Sequence, residues 1–336
     1  MLGSAAGPFS PQQHRRICVV VSKARAKPAG ETPRVVAVAG GTGFVGGAIA
    51  RSLAARGYRV VVLSHRPRPA GVTSGAASGG IEYRVADVTQ PETLAAALAG
   101  VDTLVISLAF RNSPIEAPRR GQTFEKIDAA GTEWLAAAAQ TANVAHLVYM
   151  SGAGAAPDAA KHWFRAKWRA EEAIRRVGIP YTIFRPSWIY GPGDHSLNRF
   201  IGFSRWLPFI PQIGNGKQLL APIFVDDMGS LVADAIGTPA VENMTFEVGG
   251  PDTMTMDNVI RTALRVMGRR RFILHTPVIL MKLMTAPLTL LPTPPMRPSA
   301  IDFVVQSAPV DTGPLAAALP RKLTPLGDAL AGYLKP

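Results

Sequence analysis

Short apolar runs alternate along this chain with longer segments whose apolar residues recur at helical spacing. Runs rich in Val, Ile and Leu predict strands, and Ala/Leu/Arg segments of helical period predict helices. The predicted strands cover residues 35–39, 58–63, 81–85, 103–109 and 144–151, and the predicted helices cover residues 48–57, 91–98 and 161–177. Because strands and helices alternate, we expect an α/β fold built on a doubly wound parallel sheet.

The first strand leads directly into a glycine-rich turn and then into the first helix. Gly40, Gly43 and Gly46 stand at intervals of three residues in this turn. We expect Gly40 to allow the turn, Gly43 to let the backbone approach a pyrophosphate, and Gly46 to let the helix lie close to the strand. Because the surrounding strand and helix distinguish a dinucleotide site from an ordinary glycine-rich loop, the segment predicts a bound dinucleotide. The neighbouring residues expected to contact it are Thr42, Phe44 and Val45.

The residues after the second strand bear on the choice of cofactor. An NAD-selective site would carry Asp or Glu there to bind the ribose 2′-hydroxyl, whereas this chain has Ser64, His65 and Arg66, with Arg68 close by. Hydroxyl and guanidinium groups suit a 2′-phosphate, so NADP(H) is favoured over NAD(H). The alternative is that the arginines are solvated loop charges. The remaining predicted cofactor contacts are Asp87, placed to reach the adenine amino group, with Val88, Leu108 and Ala109.

The positive charge of the chain is confined to two segments. Residues 1–33 hold five Lys or Arg and one acid, and residues 258–301 hold seven and none, which accounts for most of the net charge of +13. This distribution argues against a nucleic-acid groove across the body and favours a local anionic partner. We interpret residues 1–33 as a basic flexible leader of a cytoplasmic protein, or alternatively as a mitochondrial transit peptide.

Residues 261–298 combine a cluster of arginines with a long apolar run. Lys282, His275 and two prolines interrupt the run, so we do not expect it to span a bilayer. One hypothesis is an interfacial segment that docks on the inner face of a membrane or on a membrane complex, since anionic headgroups attract the arginines. The other is an ordinary helix whose Leu/Met face packs on the cofactor domain. Oligomeric state stays open.

Several later motifs resemble the extended or atypical branch of the short-chain dehydrogenase/reductase superfamily. They are Ile127–Thr132, Val144–Ser151, Phe184–Asp194, Pro222–Met228 and Phe246–Pro251, in that order and spacing. The resemblance implies a Rossmann domain over residues 34–190 and a smaller C-terminal lobe over 191–336 that is interleaved with its sheet, and it adds Pro186 to the cofactor contacts. Within the branch, the chain is most similar to the NAD(P)H-binding accessory subunits of respiratory complex I and their bacterial relatives.

The resemblance also implies a catalytic set from which this chain departs. The superfamily uses a Ser after the fifth strand, and a Tyr four residues before a Lys on the next helix; the phenol moves the proton that accompanies hydride transfer. Ser151 and Lys167 are present, but Trp163 stands at the tyrosine position. An indole N–H donates a hydrogen bond and does not ionise near neutral pH, so the usual proton-transfer group is missing.

Three hypotheses follow from this substitution. The chain binds the cofactor without chemistry, or Tyr149 or Tyr190 replaces the missing phenol, or Lys167 alone or a water supports a reductase. Asp128 either orders a water near Lys167 or is an ordinary acid on a helix surface, and we expect no metal site.

The favoured function is a cofactor-stabilised structural or assembly factor at a membrane or respiratory complex. The alternative is an oxidoreductase or epimerase acting on a quinone-like, prenylated or nucleotide-sugar substrate.

Overall fold

A computed structural model describes residues 34–66, 80–110, 113–194, 196–290 and 297–334 of the chain. The expected leader at 1–33 and Arg68 lie outside the described residues, so the expectations about them stay predictions.

The strands and helices of the described residues follow the alternation that the apolar pattern predicts. The strands are β1 (Val35–Ala39), β2 (Arg59–Ser64), β3 (Ile81–Val85), β4 (Thr103–Ile106), β5 (His146–Met150), β6 (Tyr181–Pro186), β7 (Trp188–Tyr190), β8 (Phe209–Ile213), β9 (Leu219–Leu220), β10 (Pro222–Phe224), β11 (Met244–Val248), β12 (Met254–Thr255) and β13 (Phe272–Thr276). The α-helices are α1 (Phe44–Ala55), α2 (Leu94–Ala97), α3 (Gly131–Thr141), α4 (His162–Arg176), α5 (Leu197–Trp206), α6 (Val225–Ala235), α7 (Met256–Val266), α8 (Val278–Thr285), α9 (Pro298–Val304), α10 (Gly313–Ala318) and α11 (Leu326–Tyr333). A π-helical segment, Phe124–Ala130, leads into α3.

The main sheet has seven strands in the order β11-β6-β5-β4-β1-β2-β3, and every neighbouring pair is parallel. The predicted Rossmann-type doubly wound sheet is therefore confirmed. Since the first strand lies in the middle and later strands extend in both directions, the strand order reverses between β1 and β4. In sheets of this kind the crevice at the reversal, outside the carboxyl ends of the strands, is where ligands bind.

Alternate residues of β1 face opposite layers of helices. Val36 and Val38 belong to the apolar cluster that contains Ile49 and Leu53 of α1, together with residues of α6. Ala37 and Ala39 face the second cluster, which contains residues of α3 and α4. A strand that is buried on both faces is a nearly continuous apolar run, which is why the pattern at 35–39 predicted it.

The second half of the chain contributes to the sheet and also builds a separate apolar cluster. β11 pairs with β6 at the sheet edge, which is the interleaving that the resemblance implied. The other cluster gathers residues of α5, α7 and α11 with β7 and β8, among them Ile210, Ile260 and Leu330. The domain boundaries at 33/34 and 190/191 stay predictions. Among the described residues, no helix combines the length and apolarity needed to cross a bilayer.

Candidate functional site

The predicted cofactor residues converge on the carboxyl edge of the sheet. The glycine turn follows β1, Ser64 ends β2, Asp87 follows β3, Leu108 follows β4 and Pro186 ends β6. Ser107, just after β4, lies so close to the turn that a Cβ on Gly40 would stand 2.1 Å from its carbonyl oxygen. The turn therefore occupies the crevice where the strand order reverses.

The geometry of the turn fits a pyrophosphate. Gly40 has φ +81°, which only glycine adopts readily, and a Cβ on Gly46 would stand 2.3 Å from the Gly40 carbonyl oxygen. Gly43 is the N-cap of α1; no side chain caps the helix and no acid lies in its first turn. The first amides of α1 are thus left for an anionic ligand, and Thr42 and Gly43 are exposed beside them. Phe44 and Val45 begin the helix at the same place.

The residues predicted to bind the adenosine end form two small turns. The Ser64 hydroxyl donates to the Arg66 carbonyl oxygen at 2.9 Å and lies 3.3 Å from the Arg66 amide, which leaves His65 and Arg66 exposed. The Asp87 carboxylate accepts from the amide and the hydroxyl of Thr89 through one oxygen, Oδ1. Their cofactor roles, with those of Val88, Leu108 and Ala109, stay predictions.

The predicted catalytic residues Ser151 and Lys167 both lie at the end of β5. The Ser151 amide donates to the Phe184 carbonyl of β6 at 2.8 Å, and the Lys167 ammonium donates to the Met150 carbonyl at 3.2 Å. The structure thus brings the two side chains to the same edge as the glycine turn. Trp163 is buried one turn before Lys167 on α4.

Lys167 is held by a buried carboxylate. Its ammonium lies 2.6 Å from Oδ1 of Asp128, whose side chain is only 3% exposed. Burial by itself lowers the pKa of Lys167, but its interactions with Asp128 and Tyr149 together outweigh burial, so the pKa lies above its ordinary value. Burial raises the pKa of Asp128, and the adjacent Lys167 ammonium opposes that rise. We conclude that the two side chains form an ion pair at neutral pH. The interpretation of Asp128 as a helix-surface acid was wrong, because the π-helical segment turns this side chain inward.

The hydroxyl of Ser151 is also engaged. It donates to Oε1 of Glu171 at 2.6 Å, and Glu171 is completely buried. Two guanidinium groups hold the same carboxylate: Arg185 donates to both oxygens at 2.8 and 2.7 Å, and Arg175 donates to Oε2 at 2.8 Å. A carboxylate held by two arginines stays ionised and accepts hydrogen bonds, so the proton of Ser151 is directed at Glu171.

Trp163 packs in an aromatic cluster, with the His162 ring centroid at 5.2 Å and the Lys161 ammonium 5.8 Å from its own ring centroid. Its ring lies 5.4 Å from Phe303 and 6.2 Å from Phe124, and the cluster also contains Phe110. Its indole nitrogen is buried without a hydrogen-bond partner in the described part of the chain. Because α9 supplies Phe303, this late helix covers the start of α4.

The two tyrosines considered as substitutes for the missing phenol are fully buried. Tyr149 packs in the cluster beneath α3 and α4, with its ring centroid 5.4 Å from the Lys167 ammonium, and burial raises its pKa. Tyr190 lies in β7, packs against Phe224, and burial raises its pKa as well. Neither phenol is exposed to a substrate in this structure, and their catalytic roles stay predictions.

Glu171 is the principal site residue that sequence reasoning missed. A usable signal was present, because Trp163, Lys167, Glu171 and Arg175 follow one another at intervals of four along α4 and so lie on one helix face. A Glu one turn after a functional Lys would normally be taken as a solvent-exposed partner. Only the position of Ser151 and Arg185 shows that it is buried.

The late segment presents its apolar side chains to solvent. In α8, Ile279 is 74% exposed and Leu283 66% exposed, and Phe272 at the start of β13 is 60% exposed. The hypothesis that this face packs on the cofactor domain is therefore wrong. A salt bridge holds α8 against α9: the Lys282 ammonium lies 2.6 Å from a carboxylate oxygen of Asp302.

Residues 40–200 match the family model described as NAD(P)H-binding. The chain is 24% identical over 249 residues to the photosystem II assembly factor Ycf39 of Trieres chinensis, and the match covers 74% of each protein. It is 27% identical over 257 residues to the mitochondrial NADH dehydrogenase (ubiquinone) 1 alpha subcomplex subunit 9 of Arabidopsis thaliana. That match covers 75% of this chain and 63% of the relative, so the chain spans less than two thirds of that protein's length.

Among solved structures, the chain is similar to the NADPH-dependent quinone oxidoreductase QOR2 of Escherichia coli, determined with NADPH. The TM-score is 0.67 at 19% identity, and the match covers 88% of this chain and 99% of that one. At 19% sequence identity, this structural similarity shows the fold alone.

Proposed function

We propose that this chain belongs to the atypical branch of the short-chain dehydrogenase/reductase superfamily and is a cofactor-stabilised structural or assembly factor. The match of residues 40–200 to the NAD(P)H-binding family model, the sequence similarity to two relatives and the fold shared with the quinone oxidoreductase support this proposal. In this proposal NADP(H) binds at the glycine turn and serves as a ligand that stabilises the fold. The protein acts at a membrane or a respiratory complex and is not an efficient dehydrogenase.

The observation that carries the proposal is that one group of the superfamily's proton-transfer set is missing and the other two are engaged with buried carboxylates. An indole stands where the phenol is needed, the Lys167 ammonium pairs with Asp128, and the Ser151 hydroxyl donates to Glu171. A bound dinucleotide would supply a hydride. Hydride transfer to a carbonyl also needs a proton donor, and the phenol nearest to Ser151 in the sequence, that of Tyr149, is fully buried.

We propose NADP(H) rather than NAD(H) because the turn after β2 presents Arg66 and His65 at the surface and no carboxylate. Ser64 is fixed by its hydrogen bonds to Arg66 and so holds the turn in shape. A guanidinium at this position supplies paired donors for a 2′-phosphate, whereas the ribose of NAD(H) would lack its usual acidic partner.

The membrane part of the proposal is supported by the segment 261–298, whose apolar side chains are exposed and whose described charges are all basic. The names of two relatives are consistent with a location at a membrane or respiratory complex: one is a photosystem II assembly factor and the other is a subunit of a respiratory dehydrogenase. We therefore place the protein on the surface of a membrane, with α8 directed towards it.

A second candidate function is a working oxidoreductase or epimerase on a quinone-like, prenylated or nucleotide-sugar substrate. It is favoured by the fold shared with an NADPH-dependent quinone oxidoreductase. Lys167 remains 15% exposed at the site and is the residue that such chemistry would use.

The test is to purify the full chain and follow its cofactor. We expect NADPH, and not NADH, to copurify or to bind on addition, and its fluorescence to persist when quinones or nucleotide sugars are added. Because the ligand binds only the folded state, NADPH at a hundred times its dissociation constant should add about 2.7 kcal/mol to the free energy of unfolding.

The control for the fluorescence experiment is NADPH incubated with the same quinones without protein, which gives the background oxidation rate. Protein-dependent oxidation well above that background would support the oxidoreductase and refute the structural role. Failure to bind either NADPH or NADH would refute both candidates.

A further inference from the structure

Five arginines surround an open groove between the end of α7 and the start of β13. The groove has a volume of about 730 Å³, and Leu264 and Phe272 contribute to its wall. The arginines are Arg261, Arg265, Arg269, Arg270 and Arg271. The groove lies outside the cofactor site described above and has no role in it.

The positive charge of this groove is largely uncompensated. Arg261 lies 3.5 Å from Asp257, which is the one acid paired with the five arginines among the described residues. Arg269 and Arg271 donate to the hydroxyl and the carbonyl oxygen of Ser204, at 3.3 and 3.2 Å. These neutral oxygens fix the two guanidinium groups in position and leave their charge intact.

Arg265 and Arg270 are exposed, and their side chains make no hydrogen bond or ion pair with any described residue. Several guanidinium groups that converge on one groove without a carboxylate form a site for a phosphate group, because each can donate two parallel hydrogen bonds to its oxygens. The chemistry of the groove therefore specifies an anionic, phosphate-bearing ligand.

The groove opens among exposed apolar side chains, which narrows the choice of ligand. Phe272 lines the groove and is 60% exposed, and it begins the strand that leads into α8. Trp206 is 88% exposed and stands two residues before Pro208, which also lines the groove. A ligand that satisfies both features carries a phosphate and a hydrocarbon portion in the same molecule.

We propose that this arginine groove binds the phosphate headgroup of an anionic phospholipid, whose acyl chains lie against Phe272, Trp206 and the exposed face of α8. The inference deepens the proposed function, on whose membrane docking it rests, by naming the partner and the residues that recognise it. The groove selects anionic headgroups, while the apolar side chains enter the acyl region.

The test uses the full chain and floats it with vesicles of phosphatidylcholine alone or of phosphatidylcholine with phosphatidylglycerol. We expect binding to the anionic vesicles, weakened by salt, and little binding to the neutral ones. Arg265→Gln combined with Arg270→Gln should lower the partition coefficient roughly thirtyfold, since each arginine near an anionic surface contributes about 1 kcal/mol.

The matched control removes the same charge elsewhere, through Arg51→Gln with Lys322→Gln, two exposed residues outside the groove. An equal loss of vesicle binding in both double variants would show that only net charge matters. It would refute the proposal that the groove binds the headgroup. If soluble glycerophosphate at low concentration displaces the protein from the vesicles, the ligand of the groove is a free phosphate compound. That result would refute the phospholipid as the ligand.

The result also separates this inference from the proposed function. If the wild-type chain and the groove variant float equally well with anionic vesicles, membrane docking is supported and the assignment of the groove as the lipid site is refuted. If the wild-type chain binds no vesicle, both the lipid-binding groove and the membrane docking are refuted. NADPH retention is measured separately and does not depend on either result.

Discussion

Single residues decide whether the site around Ser151 can transfer a proton. Lys167 lies near enough to serve a phenol at position 163, but its ammonium already faces the Asp128 carboxylate at 2.6 Å. A carboxylate at that distance cancels most of the field by which an ammonium lowers the pKa of a neighbouring phenol. The loss of activity that we infer thus has two causes, the indole and the ion pair.

This argument predicts that two substitutions are needed to restore chemistry. Trp163→Tyr alone should leave NADPH oxidation near background, whereas Trp163→Tyr combined with Asp128→Asn should raise it at least about tenfold, because the freed ammonium lowers the phenol pKa. The measurement is steady-state NADPH oxidation with a panel of quinones and carbonyl compounds.

Trp163→Phe combined with Asp128→Asn is the matched control, since it frees Lys167 without supplying a phenol. Full activity in Trp163→Tyr alone would show that the ion pair does not restrain Lys167. Breaking the pair should also destabilise the fold by up to about 3–5 kcal/mol, so each variant must be shown to be folded by circular dichroism.

At the scale of the element, the turn between β1 and α1 is the proposed cofactor site. Its dimensions depend on the absence of side chains, because a Cβ on Gly46 would stand 2.3 Å from the carbonyl oxygen of Gly40. Gly47 is the next residue of the same helix, and a Cβ there would meet nothing closer than 3.5 Å.

We therefore predict opposite effects of the same substitution at adjacent positions. Gly46→Ala should displace α1 from the turn, lower the stability by about 1–3 kcal/mol and weaken NADPH binding more than tenfold. Gly47→Ala should preserve binding and add up to about 1 kcal/mol of stability, since alanine favours the helix. Denaturant unfolding and NADPH fluorescence titration measure both, and unchanged binding in Gly46→Ala would contradict the model of a close turn.

At the scale of the whole molecule, the stability of the sheet depends on a neutral histidine. His146 begins the interior strand β5, and burial lowers its pKa; Glu242 raises the pKa and Arg34 lowers it by smaller amounts. Its Nε2 lies 3.2 Å from the Thr182 hydroxyl, which itself donates to the Val241 carbonyl. Nε2 must therefore carry the hydrogen and donate to Thr182, and the lowered pKa keeps the folded histidine neutral at pH 7.

The sign of the pH dependence follows from this. The unfolded chain binds a proton at His146 near pH 6.5, whereas the folded chain binds it only at lower pH, so stability falls as the pH drops from about 7 to about 5. His146→Gln, whose amide can also donate to Thr182, should flatten this slope. Thermal unfolding measured across that range provides the test, with the exposed His65→Gln as control; identical slopes in all three proteins would contradict it.

The positions of the first strands along the chain could be predicted from the sequence, because buried parallel strands are continuous apolar runs and leave a local signal. The glycine turn and the indole at position 163 were recognisable for the same reason, since each depends on residues that are neighbours in the chain. The burial of Asp128 and Glu171 could not be predicted. The partners that hold them, Lys167 in one case and Arg185 with Ser151 in the other, come from other elements.

The sequence by itself thus determined the fold class, the glycine turn proposed to hold the dinucleotide and the absence of a phenol at position 163, because local pattern and spacing suffice for these. Tertiary structure decided which charges neutralise one another and which apolar face stays uncovered. Helical spacing places Lys167 and Glu171 on one face of α4 but does not say what that face meets. Likewise, the Leu/Met run of α8 fits a buried or an exposed helix equally well, and only the packing of its neighbours leaves Ile279 and Leu283 in solvent.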